Sequence, residues 1–63
     1  MKNATITKVK SSIDHTYYLV INGIEIIRGD YYACLNAAKL RKGDGMLVTV
    51  IDGHTSDSFT LMP

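Results

Sequence analysis

Two histidines stand beside carboxylates in this chain, and such pairs can perform general acid–base chemistry. Asp14 precedes His15, and Asp52 lies two residues before His54. A general base needs a reacting partner within hydrogen-bond reach and a pocket that holds the substrate. Both pairs stand among turn residues, where Asp is favoured and solvent is near. A small sheet with one helix also leaves little room for an enclosed pocket, so the sequence predicts that the protein is not an enzyme.

Metal-binding chemistry is the second possibility that the residue types raise. Asp52, His54 and Asp57 carry oxygen and nitrogen ligands, but a calcium loop also requires alternating carboxylates and a more distant glutamate. The single cysteine, Cys34, has no second cysteine for a disulfide and no Cys/His cluster for zinc. We interpret it as a small buried hydrophobic residue. We therefore expect no metal, no cofactor and no catalytic residue.

Basic and aromatic side chains together can bind nucleic acid, since cations neutralise phosphates and tyrosines stack on bases. The chain has seven Lys and Arg against six Asp and Glu, a formal net charge of +1. A dedicated nucleic-acid binder is usually far more basic. Cations also stabilise helix C-termini and protect strand edges. Nucleic-acid or acidic-partner binding is therefore a secondary hypothesis, with these contacts: Lys8, Lys10, Lys39, Arg41 and Lys42.

A helix from Asp30 to Gly43 is the element around which the other segments are organised. Asp30 can cap the first turn, basic residues gather in the last turn, and Gly43 can take the left-handed C′ position. At about 100° per residue, the apolar side chains form one arc. The arc is centred on Cys34, Ala37 and Ala38 and flanked by Leu35, Leu40 and Tyr31, while Tyr32, Asn36 and Lys39 point away.

The dipeptide Asn22-Gly23 predicts a β-hairpin over Thr16 to Arg28, because it favours a two-residue type I′ turn between apolar runs. The turn sets the register, which pairs Ile21 with Ile24, Val20 with Glu25, Leu19 with Ile26, Tyr18 with Ile27, and Tyr17 with Arg28. One face then meets the helix through Leu19, Ile21, Ile24 and Ile26. The other face keeps three apolar side chains where solvent would favour polar ones: Tyr18, Val20 and Ile27.

Further strand segments flank the hairpin and the helix. Ala4 to Lys10 mixes β-branched and polar residues, which predicts an edge or half-covered strand. Met46 to Ile51 is a nearly continuous apolar run typical of an interior strand. The chain returns in Ser58 to Met62, after a loop of either Asp52-Gly53 or all of Asp52 to Asp57. Any even loop length places one set of side chains on a common face: Met46, Val48, Val50, Phe59 and Leu61.

These segments predict a single α+β domain over residues 1–63. We expect an antiparallel sheet of four or five strands, in ββαββ or βββαββ order, with one helix packed on one face. The strand order stays open, with a right-handed crossover expected if the third and fourth strands run parallel. The printed sequence shows no apolar h-region and no apolar stretch long enough to cross a bilayer, so we expect a soluble cytoplasmic protein without a leader or membrane contact.

A sheet covered on one face leaves its other face open, and an exposed apolar and aromatic patch marks an interface. Aromatic residues and arginine are enriched in interface hot spots. The sequence therefore predicts a partner-binding surface on the back of the hairpin and at the start of the helix: Tyr18, Val20, Ile27, Arg28, Tyr31 and Tyr32. The occupant can be a foreign protein or a second copy, so a homodimeric assembly module is a further hypothesis.

The segment YYLVINGIEIIRGDYYACLNAAKLRKGDGMLVTVIDG reads as a hairpin, an alanine-centred helix and a glycine-bounded apolar strand. This layout resembles the very small ββαβ and ββαββ proteins of phages and mobile elements, which include several anti-CRISPR proteins and phage inhibitors of host enzymes. The resemblance covers Thr16 to about Leu61 and concerns element order and length. It implies a non-enzymatic inhibitor in the host cytoplasm that occludes a functional surface of a host nucleoprotein complex or enzyme.

Overall fold

The computed structural model describes residues 2–10, 13 and 15–63. In this part of the chain the elements are β1 (Lys2–Lys8), β2 (Tyr17–Ile21), β3 (Ile24–Gly29), α1 (Tyr31–Leu40), β4 (Met46–Asp52) and β5 (Thr55–Leu61). The predicted α+β fold is confirmed: one helix packs on a five-stranded sheet, in βββαββ order. Within the same residues, no helix has the length and apolarity needed to span a membrane.

The five strands lie in the order β3-β2-β1-β4-β5. β1, β2 and β3 form an antiparallel meander, β4 joins β1 in parallel, and β5 returns antiparallel to β4. The sheet is therefore mixed, and α1 connects two strands, β3 and β4, that run in the same direction. The first strand is predicted to be an edge strand or a half-covered strand, and the edge position is wrong. β1 is central, since it pairs with β2 on one side and β4 on the other, and its Ala4 and Ile6 are buried while Lys2 and Lys8 stand at its ends.

The hairpin of β2 and β3 has the predicted turn but only part of the predicted register. Asn22 and Gly23 both have positive φ, 54° and 80°, as a type I′ turn requires. The two pairs nearest the turn are as predicted. The register then shifts between Leu19 and Val20, because β3 contains one extra residue at a bulge. Beyond this point the partners are Leu19 with Ile27, Tyr18 with Arg28, and Tyr17 with Gly29.

The helix begins as predicted and ends earlier. The Asp30 carboxylate accepts the Ala33 backbone N–H at 2.7 Å, which confirms the N-terminal cap. At the other end Arg41 is the C-cap, with its N–H donating to the Ala38 carbonyl at 3.0 Å. Gly43 has a φ of 54° but lies two residues beyond that cap, so the C′ position predicted for it is wrong.

The core lies between α1 and the strands beneath it. Its buried members are Ala4, Ile6, Leu19, Ile21, Cys34, Ala37, Ala38, Met46 and Val48. The two-residue turn Gly53-His54 has even length, so Val50, Phe59 and Leu61 share the face of Met46 and Val48, as predicted. Two of the predicted core residues are exposed: Ile24 is 65% exposed beside the hairpin turn, and Leu40 is 84% exposed at the end of the helix.

Candidate partner-binding surface

The face of the sheet opposite α1 is called the open face. Strand alternation assigns its members, because a residue whose neighbours along the strand point into the core points away from it. One row across the five strands consists of Arg28, Tyr18, Thr7, Ile51 and Ser56. The next row consists of Glu25, Val20, Thr5, Thr49 and Ser58. At about 4.8 Å per strand spacing, each row is roughly 19 Å wide.

Apolar and hydroxyl side chains are interspersed across the open face. Tyr18 and Val20 form an apolar pair on β2, while Leu47 and Ile51 stand on β4 on either side of Thr49, about 13 Å apart at about 3.3 Å per residue. Between them stand threonines of β1, and toward β5 the Thr49 and Ser58 hydroxyls lie 3.1 Å apart. A hydroxyl can both donate and accept a hydrogen bond. The open face thus offers one apolar pair on β2 and two separate apolar side chains on β4, with adaptable polar groups between them.

Arg28 is the charged anchor of the open face. Its guanidinium carbon lies 5.3 Å from the centroid of the Tyr18 ring, within the range of a cation–π contact. Its Nη2 atom donates to the Glu25 carboxylate at 2.7 Å. Both contacts depend on the bulge, which moves Arg28 opposite Tyr18. They restrict the arginine before any partner arrives, which reduces the entropy that binding must remove.

The bulge also changes the place of Ile27. The prediction put Ile27 opposite Tyr18 on the open face, but the observed register puts it opposite Leu19, whose side chain is fully buried on the helix-covered face. Ile26 packs against the core as predicted, whereas Ile27 is 37% exposed and does not, so the register removes Ile27 from the row of Tyr18 without placing it in the core. The extra residue in β3 is the physical cause of this error, since one inserted residue exchanges the faces of the residues beyond it.

The predicted six-residue surface is divided between the two sides of the sheet. Tyr31 packs on the helix-covered side, with its ring 5.6 Å from that of Tyr17. Tyr32 contacts Tyr31 at 5.5 Å and is 72% exposed on the helix. The helix begins directly after β3 and turns over the covered face, so neighbours in sequence are separated in space. Of the predicted residues, the structure brings together Tyr18, Val20 and Arg28.

The open face also contains residues that the sequence analysis missed: Thr5, Thr7, Leu47, Thr49 and Ile51. Leu47 and Ile51 alternate with the core residues Met46, Val48 and Val50 along β4, and that alternation is a signal that could have found them. The threonines could not be placed next to Tyr18 without knowing that β1 lies between β2 and β4.

The five basic residues proposed as nucleic-acid contacts form two separate groups. Lys8 ends β1, and Lys10 follows two residues later. Lys39, Arg41 and Lys42 lie at the C-terminus of α1, where Lys2 at the start of β1 donates to the Arg41 carbonyl at 2.8 Å. The length of β1 separates the groups by roughly 20 Å at about 3.3 Å per residue. Sequence reasoning missed Lys2, which reaches the helix end only through the fold.

An open pocket of about 400 Å³ lies beside the first of these groups, lined by Lys8, Lys10, Asp52, Gly53 and His54. Asp52 is bound from two directions: Lys8 Nζ lies 3.8 Å from Oδ1, and the Tyr17 hydroxyl donates to Oδ2 at 3.3 Å. Burial, with a contribution from Asp52, raises the pKa of Tyr17. The pocket presents positive charge to solvent, and its one carboxylate is already paired.

The predicted acid–base and metal candidates are not brought together at one site. Asp52 and His54 border the pocket, Asp57 lies in β5, His15 precedes β2, and Asp14 belongs to the residues that the structure does not describe. Among residues 2–10, 13 and 15–63, no three His, Cys, Asp or Glu side chains are grouped so as to hold a metal ion. Cys34 is a free thiol buried in the core, and burial raises its pKa.

Comparisons with protein-family models, with curated proteins and with solved structures find no match to this chain.

Proposed function

We propose that this protein is a non-enzymatic binding module that docks on a partner protein through the open face. The observation that supports this function is the one-sided cover of the sheet. α1 packs chiefly on β2 and β3 and on the same face of β1. The other face presents Tyr18, Val20, Leu47 and Ile51, and in the described chain no element covers it. Apolar patches with polar surroundings mark interaction sites.

The chemistry of the open face fits a protein surface better than a small ligand. A small molecule is normally held in a concave pocket that buries most of its surface. The open face is instead a broad layer of strands with tyrosine, serine, threonine and a fixed arginine. Tyrosine and arginine supply hot-spot contacts, and hydroxyls adapt their hydrogen bonds to the partner and to interfacial water.

We assign to this module the role of a phage-type inhibitor, which acts by covering a functional surface of its target. The layout resemblance supports a target in the host cytoplasm, either a nucleoprotein complex or an enzyme. Occlusion needs only a surface that docks firmly over the functional surface of the target. Occlusion requires no reacting group on the inhibitor. It is therefore compatible with an Asp52 carboxylate that is already bound by Lys8 and Tyr17 and with a buried Cys34 thiol.

The division of the cations into two groups favours protein binding over direct nucleic-acid binding. Affinity for a phosphate backbone rises with the number of cations engaged at once. Titrations with duplex and single-stranded DNA and RNA at two salt concentrations test this comparison. We expect little binding at low salt, whereas strong binding that falls steeply with salt would favour the nucleic-acid hypothesis.

A matched pair of lysine variants tests the proposed docking surface. Thr5 lies in the middle of the open face, so Thr5→Lys places a long charged side chain where a partner must dock. Asn36→Lys makes the same change on the exposed surface of α1. Immobilised wild-type protein and both variants are incubated with bacterial lysate, and retained proteins are quantified by mass spectrometry.

We expect Asn36→Lys to retain the same partner as the wild type and Thr5→Lys to lose it. Circular dichroism spectra of the two variants show whether each remains folded. A partner retained equally by wild type and a folded Thr5→Lys variant would mean that the open face is not the docking surface.

A further inference from the structure

The two edges of the sheet differ in how well they are protected from pairing with another strand. β3 carries a bulge, holds the Arg28–Glu25 ion pair and packs against α1. β5 pairs with β4 over seven consecutive residues without a register shift. It contains serine, threonine and one charged residue, Asp57, and has no lysine or proline. Bulges, charges, proline and helix cover are the usual means of blocking an edge, and of these β5 has only the single charge of Asp57.

The turn between β4 and β5 determines which backbone groups of β5 face outward. Gly53 has a φ of 61° in a two-residue turn, so Asp52 and Thr55 flank that turn as a hydrogen-bonded pair. Hydrogen-bonded and non-hydrogen-bonded pairs alternate along an antiparallel ladder. The N–H and C=O groups that point to the free edge therefore belong to Ser56, Ser58 and Thr60, whereas those of Asp57 and Phe59 point to β4.

We propose that β5 pairs antiparallel with β5 of a second copy of this chain, with the two-fold axis at Ser58. In that register each Ser58 faces the other, and Ser56 faces Thr60 of the second copy. All three outward residues of each strand then pair, giving about six new backbone hydrogen bonds. The result is one continuous sheet that joins two open faces side by side. This inference concerns the chain by itself and does not depend on the partner proposed above.

Side-chain complementarity favours a second copy as the strand that pairs here. The Ser58-centred register places Asp57 directly opposite Phe59 of the second copy, so the two exposed Asp57 carboxylates are diagonal neighbours and not a directly opposed pair. The two Phe59 rings become diagonal neighbours, about 7–8 Å apart by strand geometry, which is within reach of aromatic side chains. Phe59 and Leu61 are only half-buried in the single chain, because α1 lies mainly over β2 and β3. Pairing of the two β5 strands extends the apolar surface beside Phe59 and Leu61.

Sedimentation of the purified protein tests the dimer directly. We expect the average mass to rise from monomer toward dimer between about 10 µM and about 1 mM, because one strand edge makes a small interface. Ser58→Lys places two lysines opposite each other at the two-fold axis, and it should remain monomeric over this range. The control Ile24→Lys makes a charged substitution at an exposed position of β3, and it should dimerise like the wild type.

Amide hydrogen exchange of the wild type gives a second readout that does not need a variant to fold. Raising the protein concentration should slow exchange at Ser56, Ser58 and Thr60, and should leave Phe59, already bonded to β4, unchanged. Wild-type protein that stays monomeric at about 1 mM would overturn the inference. A dimer in which the amides of Ser56, Ser58 and Thr60 gain no protection, or one that Ser58→Lys preserves, would overturn it as well.

Discussion

Asp52 joins three segments of the chain at one end of the sheet. It lies at the end of β4, pairs with Lys8 at the end of β1 and accepts a hydrogen bond from Tyr17 at the start of β2. The Lys8 and Asp52 side chains are partly exposed, so the ion pair itself adds little stability in water. Its effect is positional, since it orients the carboxylate toward the Tyr17 hydroxyl.

The ionisation of Tyr17 should reduce stability at high pH. Burial, together with Asp52, raises the folded-state pKa of Tyr17 above its ordinary value of 10.0. Between the two pKa values the unfolded chain has lost a proton that the folded chain retains, so the free energy of unfolding falls as pH rises above about 10. Below that pH the contribution is fully present.

The comparison of wild type with Tyr17→Phe measures this effect. The tyrosinate absorbance near 295 nm that disappears in the variant should titrate above pH 10, and the variant should lose less stability across that range. If the tyrosinate absorbance that is lost in Tyr17→Phe titrates at or below pH 10 in the wild type, the raised pKa of Tyr17 is contradicted.

The Cys34 thiol should be inert in the folded protein. It is fully buried on the sheet-facing side of α1, and burial raises its pKa, so little thiolate is available for attack. A thiol reagent such as DTNB at pH 8 should label the native chain far more slowly than the chain in denaturant. Equal rates in the two states would show that the core opens readily or that Cys34 lies outside it.

At the scale of elements, the hairpin turn depends on a backbone conformation that glycine allows. Gly23 has a φ of 80°, and a Cβ atom added there would meet nothing within 4 Å. Gly23→Ala should therefore destabilise the protein through backbone strain alone, by about 1 kcal/mol or more in urea unfolding. Asn22→Gly keeps a residue that tolerates positive φ and should cost only a few tenths of a kcal/mol. Equal losses for both variants would contradict this explanation.

Local signals in the sequence predict the elements better than their ends. Asp30 as a cap and Asn22-Gly23 as a turn act through backbone groups within a few residues, and both are confirmed. The bulge in β3 has no such signal, because Ile26 and Ile27 are alike and either could face Leu19. The early end of the helix also lacks a local signal, because Gly43 can follow a helix whereas Arg41 is the residue that takes the C-cap.

At the scale of the whole molecule, the arrangement of strands determines the surface. Ala4 and Ile6 are core residues because β1 runs between β2 and β4, and this depends on contacts between distant segments. The same placement puts Thr5 and Thr7 beside Tyr18 and Val20. Sequence alone indicated a sheet with one covered face and placed Tyr18 and Val20 on the other. It could not supply the strand order that unites β1 and β4 residues with them.

The most direct test of the account is the affinity of the captured partner for Tyr18→Ala compared with Tyr32→Ala. Both are single tyrosine truncations, one on the open face and one on the exposed surface of α1. If Tyr18 is a hot spot of the docked surface, its truncation should cost at least about 2 kcal/mol, a rise in Kd of roughly 30-fold. Tyr32→Ala should leave Kd within about twofold, since it lies outside the contact. An unchanged Kd for a folded Tyr18→Ala variant, or a large loss for Tyr32→Ala alone, would contradict the open face as the site of docking.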